Sequence, residues 1–270
     1  MSTTRPPRTL AAAGTTFAYT RAGRGRPVAL VHGNLASHRY WQELLADPPT
    51  GIELIAMDLP NFGASGPLPG IIGMAAYGAA LAGFLEALGV PPVTLVGHSL
   101  GGAVAQACAG VRPQGVARLM LVDSPPPAGF HAPEASLRGA EILAAEPSPG
   151  ARRAMIAQAL PGVMPTRTPA YFEELVDEAC KIPPAAIVPN AEALETMDLS
   201  ALVRAYRGPV LLLRGGEDTL ITPALAEATV AAYGADRTRL VTWDDVGHSP
   251  QIEAPDRFRA LLAEFVGDTP

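Results

Sequence analysis

The chain has little cysteine: Cys108 and Cys180 are the only two among 270 residues. Neither has a second Cys or a His at metal-ligand spacing, so the sequence offers no disulfide framework and no thiolate metal site. Both fall in helix-like stretches and read as buried thiols of a reducing compartment. No uninterrupted apolar run approaches the roughly 18 residues of a membrane-spanning helix. The opening MSTTRPPRTLAAAGTTFAY also lacks the apolar centre of a signal peptide. Internal repeats, low complexity and blocks of like charge are absent as well. Acidic residues number 26 against 20 basic ones, for a formal net charge of −6. A surface of that sign repels phosphate backbones and anionic lipid, which argues against nucleic acid or a membrane as partner. The expectation is a cytoplasmic protein acting on a small molecule, and nothing in the sequence sets an oligomeric state.

What is present is a core. Hydrophobic residues make up 48% of the chain, enough for one large domain or one domain with a sizeable insertion. Short apolar runs alternate with helical stretches from Pro27 to Asp123. VALVH (28–32), LIAMDL (54–59), VTLVGH (93–98) and RLMLVDS (118–124) read as buried strands. Between them HRYWQELLA (38–46), MAAYGAALAGFLEALG (74–89) and GGAVAQACAGV (101–111) read as helices, the second burying Leu81, Phe84, Leu85 and Leu88. Continuous apolar strands joined by helices predict a parallel sheet covered on both faces.

The rhythm then stops. Residues 125–205 hold proline clusters and helix candidates such as SLRGAEILAAE and AYFEELVDEACKI, but no convincing strand. So long a segment is not an ordinary loop, and it reads as a helical cap on a core formed by 1–124 and 206–270. Alternation resumes with PVLLLRG (209–215), a helix near ALAEATVAAY (224–233) and a strand at RLVTW (239–243). A last helix, DRFRALLAEFV (256–266), buries Phe258, Leu261, Leu262, Phe265 and Val266 on one face.

VTLVGHSLGGAVAQA (93–107) begins as a strand and ends as a helix, with Ser99 between Gly97 and Gly101 at the join. Among 27 glycines the pattern Gly-x-Ser-x-Gly is weak by itself, and a plain helix N-cap is the alternative for Ser99. Placement gives it weight. A serine on so sharp a turn projects beyond the sheet edge, and the helix N-terminus behind it faces developing negative charge. Its hydroxyl needs a base. His248, in DDVGHSPQIEAPDRF, follows the strand ending at Trp243 and opens on the same edge. His32 and His98 sit at strand ends as structural or pocket residues, while His38 and His131 read as surface or loop residues. The base in turn needs a carboxylate. Asp218 in LLLRGGEDTLITP is the favoured acid, Asp123 at the preceding strand end is its main rival, and Asp244 and Asp245 follow; adjacent Glu217 should point elsewhere. An oxyanion also requires two N–H donors. Leu100 supplies one by position. Asn34 in HGN (32–34) is the candidate for the other, with a simple loop turn as the alternative.

Taken together, HGNLASHRYW, DLPNFGAS (58–65), GHSLGG (97–102), GEDTLITP (216–223) and GHSPQIEAPDRF (247–258) resemble the α/β-hydrolase fold family over nearly the whole chain. The order Ser, acid, His is the family's. The resemblance implies an α/β fold with a mostly parallel eight-stranded sheet flanked by helices, and a helical cap inserted after the sixth strand. Asn61 stands where the family's Asp-x-x-Gly-x-Gly-x-Ser pattern has its first glycine. Haloalkane dehalogenases and epoxide hydrolases carry aspartate at the nucleophile position, so Ser99 sets them aside. HGN followed by Trp41 is similar to the dehalogenase oxyanion loop, which makes Trp41, with His98, a candidate substrate contact.

The function this implies is a serine esterase without metal or organic cofactor. Ser99 is its nucleophile, His248 its base and Asp218 the orienting acid, with Asn34 and Leu100 at the oxyanion. An Ala-, Pro- and Leu-rich cap suits a small or medium apolar acyl substrate. Thioesterase, C–C hydrolase and acyltransferase or cyclase chemistry share the same triad. A C–C hydrolase usually has a cap arginine, for which Arg152, Arg153 and Arg167 are available, but it more often resembles Gly-Asn-Ser-Met at the nucleophile. A ligand-binding receptor on the same fold is the non-enzyme alternative.

Overall fold

Val28, Leu30, Leu54, Ala56, Val96, Met120, Leu211 and Leu213 belong to one apolar cluster. Their chain neighbours Ala29, Val31, Ile55, Met57, Leu95, Leu119, Leu121 and Leu212 belong to another. Alternation of that kind is the signature of strands buried on both faces. The computed structural model describes residues 7–129 and 134–267. Its strands are β1 (Arg8–Ala12), β2 (Thr15–Gly23), β3 (Arg26–Val31), β4 (Ile52–Met57), β5 (Val93–His98), β6 (Val116–Val122), β7 (Val210–Gly215) and β8 (Thr238–Trp243). They form one eight-stranded sheet in the order β1-β2-β4-β3-β5-β6-β7-β8. From β4 to β8 every neighbour is parallel, as expected, whereas β2 runs antiparallel to both β1 and β4.

The hairpin β1–β2 is absent from the sequence reading, which begins at Val28. Its turn explains the omission. Ala13 and Gly14 both take left-handed backbone, with φ of 51° and 75°. A two-residue turn of that shape usually announces itself with Asn-Gly or Asp-Gly, and alanine gives no such sign.

The helices are α1 (Gln42–Ala46), α2 (Met74–Ala87), α3 (Leu100–Val111), α4 (Glu134–Ala145), α5 (Pro149–Ala159), α6 (Phe172–Ala179), α7 (Pro184–Glu195), α8 (Ser200–Val203), α9 (Pro223–Tyr233), α10 (Pro250–Glu253) and α11 (Pro255–Gly267). On one face of the sheet α2, α3 and α9 cover the larger cluster; on the other, Leu44 of α1 and the Phe258, Leu261, Leu262, Phe265 and Val266 face of α11 close the smaller one. Each such side chain taken from water contributes roughly 1.5–3 kcal/mol before entropy is counted. Among the described residues five helices, α4 to α8, lie between β6 and β7. Pro189 sits inside α7, which hides that helix from a reading that treats proline as a stop. Cys108 is buried in α3, but Cys180 is only half-buried at the end of α6. Among the described residues no helix is long and apolar enough to cross a membrane.

Candidate active site

Parallel strands β5 and β6 end side by side, with His98 paired to Val122. One residue further, both chains turn sharply. Ser99 has φ 53° and ψ −124°, and Asp123 has φ 42°. Left-handed backbone at two non-glycine residues is strain that the surrounding packing must hold in place. For Ser99 that packing depends on glycine. A Cβ on Gly97 would stand 2.3 Å from the Gly101 carbonyl, and one on Gly101 would stand 2.3 Å from the His32 carbonyl. The strand, the turn and α3 therefore close to a distance that no larger residue permits. Ser99 ends half-buried at the N-terminus of α3 with no side-chain cap bond, so the N-cap alternative finds no support in its contacts.

His248 lies in the turn between β8 and α10. Its Nδ1 is 2.7 Å from Asp218 Oδ2, and Asp218 Oδ1 accepts the Leu220 N–H at 2.7 Å. Burial works to raise the Asp218 pKa, but the His248 hydrogen bond and charge outweigh it and hold the carboxyl below its ordinary range. The other acids fall elsewhere. Asp244 and Asp245 are exposed, and Asp245 pairs with Arg257.

Ser99, His248, His98, Asn34 and Leu100 all line one cavity of about 460 Å³ at this edge of the sheet. Asn34 presents a buried Oδ1 without a hydrogen-bond partner. His98 stacks on Tyr40 and donates its Nε2–H to the His248 carbonyl at 2.7 Å. Burial, with His248 opposite, pushes the His98 imidazole down to about 3, so the ring stays neutral and braces the histidine turn. Trp41 is a correction. It is 1% exposed in the cluster beneath the sheet, tilted against Phe258 at 5.8 Å, and does not line the cavity. An indole at the end of the 3-10 turn His38–Trp41 fills the gap above α11 instead of meeting a ligand.

The sequence matches the alpha/beta hydrolase family over residues 28–261. The chain belongs to that family. Among curated proteins it is 29% identical to a pimeloyl-[acyl-carrier protein] methyl ester esterase of Aromatoleum aromaticum, covering 88% of this chain and 97% of the relative. Among solved structures it is similar to a thermophilic esterase from Thermogutta terrifontis, with 28% identity, 97% coverage of both chains and a TM-score of 0.77. The enol-lactonase from Burkholderia xenovorans LB400 superposes with a TM-score of 0.84 over 97% of this chain and 100% of its own, and at 20% identity shows the shared fold alone.

Two further features of this hydrolase escape a motif search. His38 is buried, not superficial: its N–H and Nδ1 both meet Asp58 Oδ1, at 2.7 and 2.8 Å, while Asp58 Oδ2 accepts the Ala64 N–H. Asn61, in place of the family's glycine, adopts φ 71° and ties Tyr77 and Leu68 together, a conformation asparagine tolerates. His32 is likewise structural, its Nε2 accepting the Leu59 N–H. His131 lies outside the described residues. The second feature is Glu253, whose carboxylate accepts Gly247 N–H and Ser249 N–H on either side of His248, and Thr166 N–H and Oγ1–H from the inserted segment. An acid five residues beyond the histidine, on a short helix that opens with proline, is the only sequence sign of it.

Proposed function

We propose that the chain is a serine hydrolase acting on carboxylic esters with an uncharged apolar acyl group. The observation that carries this reading is that His248, paired with Asp218 at 2.7 Å, lines the same cavity as Ser99. Asp218 accepts from Nδ1 and so leaves Nε2 bare to take the Ser99 proton. Ser99 then attacks the ester carbonyl, and the oxyanion meets the Leu100 N–H at the start of α3 and the loop N–H of Asn34. His248 returns its proton to the leaving alcohol, and water deacylates the enzyme by the same route.

The cavity wall supports the acyl class. Leu137, Leu143, Met155, Ile156, Ile187 and Leu194 come from the inserted helices, and no Lys or Arg lines the cavity among the described residues. We read 125–205 accordingly as a cap over a core of 1–124 and 206–270. Of the cap arginines that a C–C hydrolase would use, Arg153 is engaged with Glu173 and Asp177, Arg167 with Glu43 and the Ile252 carbonyl, and Arg152 does not line the cavity. The esterases among its relatives favour the same conclusion.

A fluorophosphonate probe should label the native protein and fail to label Ser99→Ala, which should also lose p-nitrophenyl butyrate turnover. An unlabelled native protein would favour the receptor reading. Labelling with turnover of thioesters alone would move the substrate class and keep the triad.

A further inference from the structure

Asp123 takes no part in the triad proposed above, yet its carboxyl lies against it. The residue is fully buried, and its Oδ1 accepts the Gly215 N–H at 2.9 Å. Its Oδ2 is buried too and receives no N–H or O–H donor. One oxygen from Asp123, one from Asp218 and a ring nitrogen of His248 all fall within 4.8 Å of one another. Arg214 on β7 is the nearby guanidinium, but it directs Nε to the Ile221 carbonyl and Nη2 to that of Gly216. His98 is neutral and bound to the His248 backbone. Two carboxyl groups thus share a buried site with one imidazole.

Carboxylates this close and this buried do not both ionise; one keeps its proton. The donors decide which. Asp218 accepts two N–H groups, from His248 and Leu220, whereas Asp123 accepts one, leaving an oxygen bare where a hydrogen would sit. We propose that Asp123 is held as a neutral carboxylic acid whose Oδ2–H donates to the Asp218 carboxylate, making Asp123 a positioning residue for the His248–Asp218 pair. Burial and the Asp218 charge both drive the Asp123 carboxyl well above the usual carboxylate range, while hydrogen bonds, that from Asp123 included, keep Asp218 low. The left-handed backbone at Asp123 gains a purpose, since it aims the side chain along the sheet edge at the neighbouring strand's loop. The positioning role rests on the triad reading; the protonation state does not.

Asp123→Asn separates these claims. Its amide oxygen can accept from Gly215 and its amide N–H can donate to Asp218, with no proton to hold. Wild type and variant would be unfolded thermally from about pH 4 to about pH 7.5, across the ordinary aspartate pKa and above it. In the unfolded chain Asp123 loses its proton over this range, and in the folded chain it keeps it, so wild type loses stability relative to the variant as pH rises. The expected result is a Tm difference that moves steadily in favour of Asp123→Asn toward neutral pH. A difference independent of pH, or one that moves toward wild type, overturns the neutral acid. For positioning, Asp123→Asn should keep ester kcat within about twofold, while Asp123→Leu, or Asp123→Ala if leucine does not fold, lowers kcat about tenfold at unchanged KM, the scale of one hydrogen bond to a charged group. Equal losses in the asparagine and apolar variants, or a change in KM alone, overturn that role. Absence of Ser99-dependent turnover in wild type sinks the triad reading and the positioning with it, and the unfolding series still decides the proton.

Discussion

The floor of the cavity and its roof are built on opposite rules. The floor is the carboxyl end of the sheet, where Ser99 and Asp123 hold left-handed backbone and His248, Asp218, His38 and Asp58 are fixed by hydrogen bonds of 2.7 to 2.8 Å. The roof is helical and apolar, and residues such as Leu143, Ile156 and Leu160 are held there by packing alone. Packing tolerates exchange of one hydrophobic shape for another, whereas a buried polar network loses several kcal/mol when one member is removed. The difference teaches where chemistry and selectivity belong in this molecule. On the function proposed above, reaction geometry sits on strand ends fixed by hydrogen bonds, and substrate shape is set by helices that can be revised.

Floor changes should therefore be severe and blind to substrate. Asp218→Asn keeps the shape of the side chain but favours the wrong His248 tautomer, so kcat should fall about 10⁴-fold for every ester. A loss that depends on acyl length would break the distinction. Roof changes should be mild and selective. Gly139 lines the cavity from α4, and a Cβ there would meet nothing within 4 Å. Gly139→Leu should lower kcat/KM for p-nitrophenyl octanoate about tenfold relative to acetate, the scale of one or two methylenes in an apolar pocket. It should also stabilise the helix by up to about 1 kcal/mol. An unchanged ratio would remove α4 from the acyl wall. A further floor change is read in stability. Burial works to raise the Asp58 pKa, but the His38 hydrogen bond and charge overcome it, leaving the carboxyl low in the folded chain. Its contribution is present above the unfolded aspartate value of about 3.9 and is lost as pH falls through the folded one. Wild type should thus exceed Asp58→Asn in Tm at neutral pH, by the equivalent of about 1–3 kcal/mol, and the gap should close on acidification below about pH 4.

Much of the floor was legible because its residues follow strands that announce themselves. VALVH, VTLVGH and RLMLVDS are unbroken apolar runs, and the residues after them must lie at one edge once the strands are parallel. Three things were not legible, each for a physical reason. The β1–β2 hairpin turns on an alanine that pairing alone holds left-handed. Trp41 follows HGN in sequence, but the 3-10 turn rotates its ring under the sheet. Asp123 reads as a competitor of Asp218 because one dimension shows two acids at neighbouring strand ends. Only the donors around them distinguish a partner from a rival.

Glu253 is one of the points where roof and floor are joined. Four donors converge on its carboxylate: two flank His248, and two come from Thr166. Beside it the Val163 carbonyl accepts the Ser249 hydroxyl at 2.6 Å, so the inserted segment meets the histidine turn through one amide, one hydroxyl and one carbonyl. This gives the join the character of a socket with a defined plug. A helical insertion of another length or shape that delivered the same two donors and the same carbonyl would leave the His248 turn undisturbed, and the pocket above it would be new.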